Sequence, residues 1–262
     1  MSYNNSEKEG FDKSMKFVII SGGHIDDAFA LNWLKENKYD VLMAADSGMN
    51  FLHRNHIMPD IIAGDFDSVD EVSFATFEQY SHINEMGQEI QKDDISYDDF
   101  HEKIQSNSIS HKKIEMIRLN PIKDDTDTEF VIREAIRRGA TKIVILGATG
   151  TRLDHVLANI YLLGLGLEHK VHMELVDAYN RIRMINDRIV IAKNEQFGNF
   201  VSVLPIKGDA KGVTLEGMKY PLKDAMIPCF SSLGVSNEIV EEWAKISVEQ
   251  GTLLVIESRD KF

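Results

Sequence analysis

Short apolar runs alternate with amphipathic segments along the first two thirds of the chain. The apolar residues at 17–20, 41–45 and 61–63 form compact runs, and each run is followed directly by serine, aspartate or glycine. Runs of this length beside turn-forming residues predict buried strands. Segments 26–35 and 48–56, which separate these runs, have the pattern of helices. Because parallel strands need crossover connections, this order predicts a parallel sheet with helices on its faces.

The same alternation resumes beyond residue 113. Apolar runs at 114–119, 142–146 and 172–176 predict three further strands, and residues 153–167 form a mostly apolar helical segment. The helix predicted between the first two of these strands begins at Thr126.

Thr126 and Glu129 have the spacing of a capping box, in which each side chain bonds to the other residue's backbone. Downstream, Glu129 and Arg133 stand four residues apart, and so do Glu134 and Arg138, in the order that stabilises a helix. These residues therefore predict a helix that starts at Thr126 and carries ion pairs along its surface.

Two other stretches show a different pattern. Segment 69–110 is acidic with weak periodicity, and we interpret it as an insertion: a lid, a dimer contact or, as its composition favours, a solvated surface segment. Beyond about residue 180, short strand-like runs are separated by glycine, proline and asparagine, a spacing that predicts antiparallel β structure. These runs lie at 182–185, 188–192, 200–206 and 251–257.

The pattern as a whole predicts two domains. An α/β N-terminal domain with a mostly parallel, Rossmann-like sheet is expected over residues 15–178, followed by an all-β sandwich C-terminal domain over residues 179–262. Residues 1–14 are polar and charged, and we interpret them as a flexible tail. A length of 262 residues with 43% hydrophobic content is sufficient to bury two cores.

Composition narrows the class of protein. The net charge of −13 argues against a nucleic-acid partner, since nucleic-acid binders present clustered lysine and arginine. The single cysteine, Cys229, excludes an intramolecular disulfide and is interpreted as a small buried or semi-buried residue in a reducing compartment. The first residues lack the apolar core of a signal peptide, and the apolar stretch at 157–167 is shorter than the roughly 20 residues that cross a bilayer. We therefore expect a cytoplasmic protein without a membrane partner.

Three acidic clusters follow predicted strands, at residues 64–68, 123–127 and 152–155. An α/β enzyme places its chemistry at such strand ends. In extended backbone, Asp65 and Asp67 would leave the same face and could reach one cation. Magnesium suits such a site, because it takes carboxylate oxygens at about 2.0–2.1 Å and keeps positions for water and phosphate. The residues by themselves predict an α/β enzyme that binds a divalent metal and handles phosphate.

The order and flanks of these motifs resemble the thiamine pyrophosphokinase family over most of the chain. The residues that carry the resemblance are Ala45-Asp46-Ser47-Gly48, Pro59-Asp60, Gly64-Asp65-Phe66-Asp67-Ser68, Lys123-Asp124-Asp125-Thr126-Asp127, Arg152-Leu153-Asp154-His155 with Ala158-Asn159, Gly234-Val235-Ser236-Asn237-Glu238 and Gly251-Thr252-Leu253-Leu254-Val255.

The resemblance implies a Mg²⁺-dependent transfer of a pyrophosphoryl group from ATP to the hydroxyethyl group of thiamine, which gives thiamine diphosphate and AMP. It also implies that residues 15–178 bind nucleotide and metal, that residues 179–262 bind thiamine, and that two copies form a homodimer with active sites between the subunits. Two alternatives stay open: a Mg²⁺-dependent kinase or nucleotidyltransferase for another small alcohol, and a non-catalytic nucleotide or thiamine sensor.

By the same resemblance, the expected metal ligands are Asp65, Asp67 and Asp127. Asp46 and Asp124 belong in or beside this acidic shell and are expected to be catalytic, whereas Asp125 occupies a variable place in the motif and is not expected to be a ligand.

Arg152 and Asp154 are also expected to be catalytic, and they and further residues are expected to contact the substrates. Arg152 would clamp a phosphate in a bidentate manner, and Asp154 would order the nucleotide or the water around the metal. His155 would contact ATP, although a hydrogen bond to backbone is an equal alternative. At the predicted glycine turn, the backbone amides of Gly22 and Gly23 would approach the phosphates. Ser236 and Asn237, in a loop near the C-terminus, would contact thiamine.

Each assignment has a structural alternative. Asp127 and Asp154 could act only as acids in the first turn of a helix, and Arg152 could be an ordinary surface ion-pair residue. The joint occurrence of the motifs favours the functional interpretation. Ser47 and Thr151 stand where glycine is usual in the family, which affects the backbone near the phosphates.

Trp243 follows the predicted thiamine loop. It could stack on an aromatic ring, but we expect it to pack in the core as part of an amphipathic helix.

Overall fold

A computed structural model describes residues 14–84, 113–120 and 125–261 of the chain. The flexible tail expected at residues 1–14, apart from Ser14, lies outside this part, and so do Asp124 and residues 85–110 of the predicted insertion.

The N-terminal half consists of strands that alternate with helices. In chain order the elements are β1 (Lys16–Ile20), α1 (Asp27–Glu36), β2 (Val41–Ala45), α2 (Gly48–Arg54), β3 (Ile61–Gly64), α3 (Glu71–Gln79), β4 (Ser81–Asn84), β5 (Ile114–Arg118), α4 (Asp127–Arg137), β6 (Lys142–Leu146), α5 (Leu153–His169) and β7 (His172–Val176). The seven strands pair in the order β4-β5-β3-β2-β1-β6-β7, and every pair is parallel.

The helices cover both faces of this sheet, and strand β1 illustrates why. Phe17 and Ile19 point to one face and pack with the buried residues of α4 and α5. Val18 and Ile20 point to the other face and pack with α1, α2 and α3. Because successive side chains of a strand leave opposite faces, a continuous apolar run is needed where both faces are buried. This three-layer arrangement confirms the predicted α/β domain.

The predicted insertion begins with regular structure. Helix α3 is capped by Asp70, whose carboxylate accepts a hydrogen bond from the amide of Ser73 at 2.8 Å. Strand β4 then pairs in parallel with β5 at the edge of the sheet. Residues 71–84 therefore extend the α/β pattern by one helix–strand unit, which the weak periodicity of this acidic stretch does not indicate.

The N-cap of α4 forms half of the predicted capping box, and the ion pairs along the helix agree with the sequence prediction. Thr126 Oγ1 accepts a hydrogen bond from the amide of Glu129 at 3.2 Å. Arg133 pairs with Glu129 and Arg138 pairs with Glu134, each at 2.7 Å, as the spacing predicts.

The C-terminal half is antiparallel. Its elements are β8 (Asn180–Ile185), β9 (Arg188–Ala192), a 3-10 turn (Lys193–Glu195), β10 (Phe200–Glu216), β11 (Leu222–Ile227), β12 (Trp243–Ser247) and β13 (Gln250–Ser258). Strand β8 pairs with β7 in the opposite direction, so the change from parallel to antiparallel pairing falls between these two strands. The sheet continues through β13 to the first half of β10.

Strand β10 belongs to both layers of a sandwich. Its first half pairs with β13, and its second half pairs with β11 and β12, beyond which β9 forms the edge. The turn between the halves contains Lys207 and Gly208 with φ of 66° and 130°, values that bend the strand. Apolar residues from both layers form a separate core, which includes Val203, Val213 and Val255. The predicted all-β sandwich is confirmed.

The prediction that Trp243 packs in the core as part of an amphipathic helix was wrong. The residue begins strand β12 and is 45% exposed, and the segment before it forms turns and isolated bridges instead of an amphipathic helix. An amphipathic helix buries residues that are three or four positions apart. Here two polar residues, at 241 and 242, precede a strand in which buried positions alternate with more exposed ones.

Within the described ranges, no helix has both the length and the apolar character needed to cross a bilayer.

Candidate active site

Three carboxylates meet at the carboxyl edge of the parallel sheet. Asp46 follows β2, Asp65 follows β3, and Asp127 begins α4, the helix that follows β5. Each offers an oxygen, and the three oxygens lie within 4.8 Å of one another. These strands are neighbours in the sheet, so residues that are far apart in sequence converge at one edge.

The backbone of Asp46 is held in an uncommon conformation. Its φ is 45°, in the left-handed region, and its amide donates to the carbonyl of Ala63 at 2.9 Å. The next strand approaches closely at Gly64, where an added Cβ would lie 3.0 Å from Cα of Asp46. The glycine therefore allows the ends of β2 and β3 to pack at the distance that brings Asp46 and Asp65 together.

Asp127 is positioned by the start of α4. Thr126 caps this helix, and the next residue, Thr128, exchanges a 2.7 Å hydrogen bond with the hydroxyl of Ser21 at the end of β1. Both hydroxyls are buried. This bond holds the N-terminus of α4 at the edge of the sheet. The position of Asp127, the first residue of the helix, is therefore fixed beside the other two carboxylates.

The cluster has the electrostatic properties of a cation site. Burial raises the pKa of Asp46, the charges of Asp127 and Asp65 raise it further, and hydrogen bonds from Ser68 and the backbone of Ser47 oppose this shift. Asp46 is 9% exposed, and its buried Oδ1 accepts no hydrogen bond within the described part of the chain. A buried oxygen without a donor beside two further carboxylates fits a hard divalent cation.

Asp67 is not brought into this group of three. Phe66 adopts a φ of 65°, so the backbone from Asp65 to Asp67 is a turn and not the extended segment expected from the sequence. The amide of Asp67 donates to Oδ1 of Asp65 at 3.2 Å, and the Asp67 side chain is exposed. Its assignment as a metal ligand stays a prediction, and Asp124 lies outside the described residues.

Two glycine turns pack against each other beside the acidic cluster. The amide of Gly23 donates to the carbonyl of Gly147 at 2.7 Å, and the amide of His24 donates to the carbonyl of Thr149 at 2.8 Å. A Cβ on Gly23 would lie 2.4 Å from both carbonyl oxygens, so only glycine fits there. The Gly23 amide is therefore engaged with the second turn.

These turns mark the point where the direction of strand order reverses. Strands β2 to β5 lie on one side of β1, and β6 and β7 lie on the other. Open α/β sheets bind ligands in the crevice at such a point. Gly22, in the turn after β1, packs closely against Ser47, which follows β2. A Cβ on Gly22 would lie 2.2 Å from the Ser47 hydroxyl oxygen.

Arg152 and Asp154 lie at the N-terminus of α5. Their side chains form an ion pair with Nη2 and Oδ2 2.6 Å apart, and both are more than 60% exposed, at 69% and 64%. Hydrogen bonding to Arg152 lowers the pKa of Asp154. His155 is also exposed. This helix terminus is open to solvent, and its amide dipole and the guanidinium together favour an anionic ligand.

Ser236 and Asn237 lie in a loop at one edge of the sandwich. Asn237 is 3% exposed, its Nδ2 donates to the carbonyl of Tyr220 at 2.8 Å, and its Oδ1 accepts from the amides of Tyr220 and Glu238, both at 2.9 Å. Its side chain thus holds the loop. Ser236 has a φ of 55°, and its amide donates to the Ser202 hydroxyl at 3.0 Å.

Ser68 is a site residue that the sequence interpretation did not assign. Its hydroxyl donates to Oδ2 of Asp46, 22 positions earlier in the chain. The residue was visible as the last member of the Gly64–Ser68 motif, but nothing in the spacing indicates which way the hydroxyl points.

The fold and the site together define an α/β protein with a carboxylate cluster at the end of its parallel sheet and a β-sandwich attached. A family model for the thiamin pyrophosphokinase catalytic domain matches residues 33–175, and a model for the vitamin B1 binding domain of the same enzymes matches residues 187–253. The chain belongs to the thiamin pyrophosphokinase family.

Known relatives agree with this assignment. Thiamine pyrophosphokinase of Bacillus subtilis (strain 168) is 33% identical over 138 residues, which are 53% of this chain and 64%, slightly less than two thirds, of that protein. The crystal structure of the Bacillus subtilis enzyme aligns with a TM-score of 0.72 at 26% identity and covers 94% of this chain and 100% of the other. The thiamin pyrophosphokinase of Geobacillus thermodenitrificans aligns with a TM-score of 0.71 at 25% identity, over 94% and 99% of the two chains.

Proposed function

We propose that this protein is a thiamine diphosphokinase, which transfers a pyrophosphoryl group from ATP to thiamine. The observation that carries the proposal is the group of three carboxylates from Asp46, Asp65 and Asp127, in a chain that matches both domains of the family. In this reaction the thiamine hydroxyl oxygen bonds to the β-phosphorus, the bond from that phosphorus to the oxygen of the α-phosphate breaks, and AMP leaves while the hydroxyl proton is released.

We propose Mg²⁺ as the cation of this site. Asp46, Asp65 and Asp127 would hold it, and it would neutralise negative charge that develops on the transferred group. The contribution of the protein is to keep these oxygens within 4.8 Å of one another on rigid strand ends and a capped helix. The proposal also keeps Asp67 as a metal ligand and Asp124 in or beside the acidic shell, the roles that the motif resemblance implies.

The nucleotide is assigned to the crevice beside the two glycine turns. Arg152 would release part of its pairing with Asp154 to bind phosphate oxygens, since its guanidinium is exposed and its planar fork matches them. Gly22 and Gly23 would let the backbone approach the phosphates because neither residue has a Cβ, and His155 would contact ATP at the edge of this site.

Thiamine is assigned to the loop that contains Ser236 and Asn237. The side chain of Asn237 supports the loop through hydrogen bonds to backbone groups, which leaves Ser236, with its left-handed backbone, as the residue that presents groups to the substrate. We further propose that two copies form a homodimer and that the protein is cytoplasmic, as the motif resemblance and the single cysteine indicate.

The test is a product assay with purified protein, ATP, Mg²⁺ and thiamine, in which each component is omitted in turn. Equal amounts of AMP and thiamine diphosphate, dependent on all three components, are expected. Formation of ADP would instead identify a single-phosphoryl kinase, and release of pyrophosphate would identify a nucleotidyltransferase. No turnover above background would contradict the enzymatic proposal and favour a sensor.

Asp127→Asn provides the matching variant for this assay. We expect it to fold normally and to lose activity at least about a hundredfold, because it removes one charge from the cation site. Asp125→Asn is the control, since Asp125 is an exposed acid two positions earlier and is not part of the group of three. Far-UV circular dichroism of both variants verifies the fold. A loss of activity that accompanies unfolding of Asp127→Asn would support a capping role instead.

A further inference from the structure

Ser68 connects two elements of the candidate active site. It lies in the loop between β3 and α3, which also carries Asp65, and its hydroxyl donates to Oδ2 of Asp46 at the end of β2. The side chain of Asp46 is therefore held from the loop that supplies a second carboxylate of the group.

The two oxygens of Asp46 have different surroundings. Oδ2 accepts the hydrogen bond from Ser68, whereas Oδ1 is buried and accepts none within the described residues. Once Oδ2 is fixed by a donor, rotation of the carboxylate is restricted, and the direction of Oδ1 is set as well. Carboxylates that bind metals are commonly oriented by such hydrogen bonds, and loss of the donor weakens metal binding.

We propose that Ser68 is a positioning residue of the metal site: its hydroxyl holds the carboxylate of Asp46 so that Oδ1 is presented to a divalent cation shared with Asp65 and Asp127. The inference rests on the proposed function in requiring a cation at this cluster. In this proposal Ser68 is not one of the three carboxylates, and its hydroxyl sets the geometry of their group.

The loop that carries Ser68 is held by contacts that do not involve its hydroxyl. At its start, the ring of Phe66 packs against that of Phe74, with the ring centroids 5.3 Å apart. At its end, Asp70 caps helix α3 through the amide of Ser73. Removal of the Ser68 hydroxyl should therefore leave the backbone of the loop in place and release only the carboxylate of Asp46.

Ser73 offers a matched control. Its hydroxyl also donates to an aspartate, Oδ2 of Asp70, at 2.7 Å, and it lies five positions after Ser68. Neither Ser73 nor Asp70 belongs to the group of three carboxylates. Ser73→Ala thus removes the same kind of hydrogen bond from the same region without a contact to the metal site.

The experiment measures Mn²⁺ binding to the full chain without ATP or thiamine, with free Mn²⁺ detected by electron paramagnetic resonance. We expect Ser68→Ala to raise the dissociation constant about tenfold or more, as is typical for loss of a residue that orients a metal ligand. Ser68→Thr keeps the hydroxyl and should stay within about twofold of the original protein. Ser73→Ala should bind Mn²⁺ with unchanged affinity.

Several outcomes would overturn the inference. These are no Mn²⁺ binding by the unmodified protein, an unchanged affinity in Ser68→Ala, an equal loss in Ser73→Ala, or no rescue by Ser68→Thr. Loss of the native circular dichroism spectrum in Ser68→Ala would also overturn it, since the hydroxyl would then maintain the fold. The product assay separates this inference from the proposed function: a protein that binds Mn²⁺ with the expected pattern but forms no AMP supports the positioning role and contradicts the pyrophosphokinase activity.

Discussion

Asp46 shows how a single residue can be costly for the fold and useful for the site. It is nearly buried, has a left-handed backbone, and lies within 4.8 Å of two further carboxylates. Burial and the neighbouring charges raise its pKa, which means that the charged form is disfavoured in the folded protein. A cation bound between the three carboxylates would offset this destabilisation.

We predict that Asp46→Asn stabilises the metal-free protein at neutral pH. A raised pKa in the folded state means that ionisation destabilises the fold as the pH rises above the ordinary aspartate value, and asparagine removes this charge while it can still accept from Ser68. Thermal unfolding in the presence of a chelator should show a higher melting temperature, by about 2–4 °C for each kcal/mol of relieved destabilisation. The added stabilisation by Mg²⁺ should be smaller than in the unmodified protein.

Asp125→Asn serves as the control for that comparison because it removes an exposed charge outside the group of three. A melting temperature that falls in Asp46→Asn would contradict the prediction and would indicate that the carboxylate stabilises the fold without metal.

A second residue-scale prediction concerns Arg152. Because its guanidinium is 69% exposed, its ion pair with Asp154 contributes little to stability, and Arg152→Ala should leave the unfolding free energy essentially unchanged. If it binds phosphate, the same variant should raise the KM for ATP about tenfold or more, and Arg152→Lys should recover only part of this, since lysine lacks the planar fork. Steady-state kinetics with varied ATP measures the effect. An unchanged KM in Arg152→Ala would leave Arg152 as a surface ion-pair residue.

At the scale of elements, helix α4 is fixed to the sheet by a cluster of ions. Glu134, with a side chain only 10% exposed, pairs with Arg137 at 2.6 Å and with Arg138 at 2.7 Å, and Arg138 also pairs with Glu115 of strand β5 at 2.7 Å. The sequence spacing predicted the pair of Glu134 and Arg138. The link to Glu115 could not be predicted, because it depends on how the helix packs on its strand.

This cluster leads to a prediction about pH. The hydrogen bond from Arg137, followed by that from Arg138, lowers the pKa of Glu134, so its stabilisation is complete above the ordinary glutamate pKa and is lost as the pH falls through the lowered value. We expect Glu134→Gln to reduce the unfolding free energy at pH 7 by about 1–2 kcal/mol. The difference from the original protein should shrink in acid. Urea unfolding at pH 7 and at about pH 3 measures it.

Glu129→Gln on the same helix is the matched control for this measurement. Its partner Arg133 is 50% exposed, and exposed helical pairs of this kind contribute only about 0.3–0.5 kcal/mol. Equal losses in the two variants, or a difference for Glu134→Gln that does not change with pH, would contradict the role assigned to the cluster.

At the scale of the whole molecule, the distribution of exposed apolar side chains supports the proposed homodimer. Phe230 is fully exposed, and Met226, Leu233 and Val235 of the same segment are 54%, 45% and 46% exposed. Large apolar side chains concentrated in one segment are typical of an interface. This segment precedes the loop with Ser236, so contact between two copies there would place the proposed thiamine loop near the subunit boundary.

Sedimentation velocity tests this proposal. We expect a species of twice the 29.7 kDa chain mass, and we expect Phe230→Ser to weaken its association about tenfold or more, since an exposed aromatic at an interface often carries much of the binding energy. Val72→Ser is the control, because Val72 is 65% exposed on α3 and lies outside this segment. A monomer at all concentrations would contradict the dimer, and equal effects of the two variants would place the interface elsewhere.

The sequence by itself determined the two-part fold, the strand ends that carry the acidic motifs, and the N-cap of helix α4, because these depend on local periodicity and spacing. Only the tertiary structure decided which carboxylates meet. The turn at Phe66 removes Asp67 from the group, and the close packing of Gly64 on Asp46 brings Asp46 into it. Such contacts depend on backbone conformation and on strand neighbours, which sequence spacing does not encode.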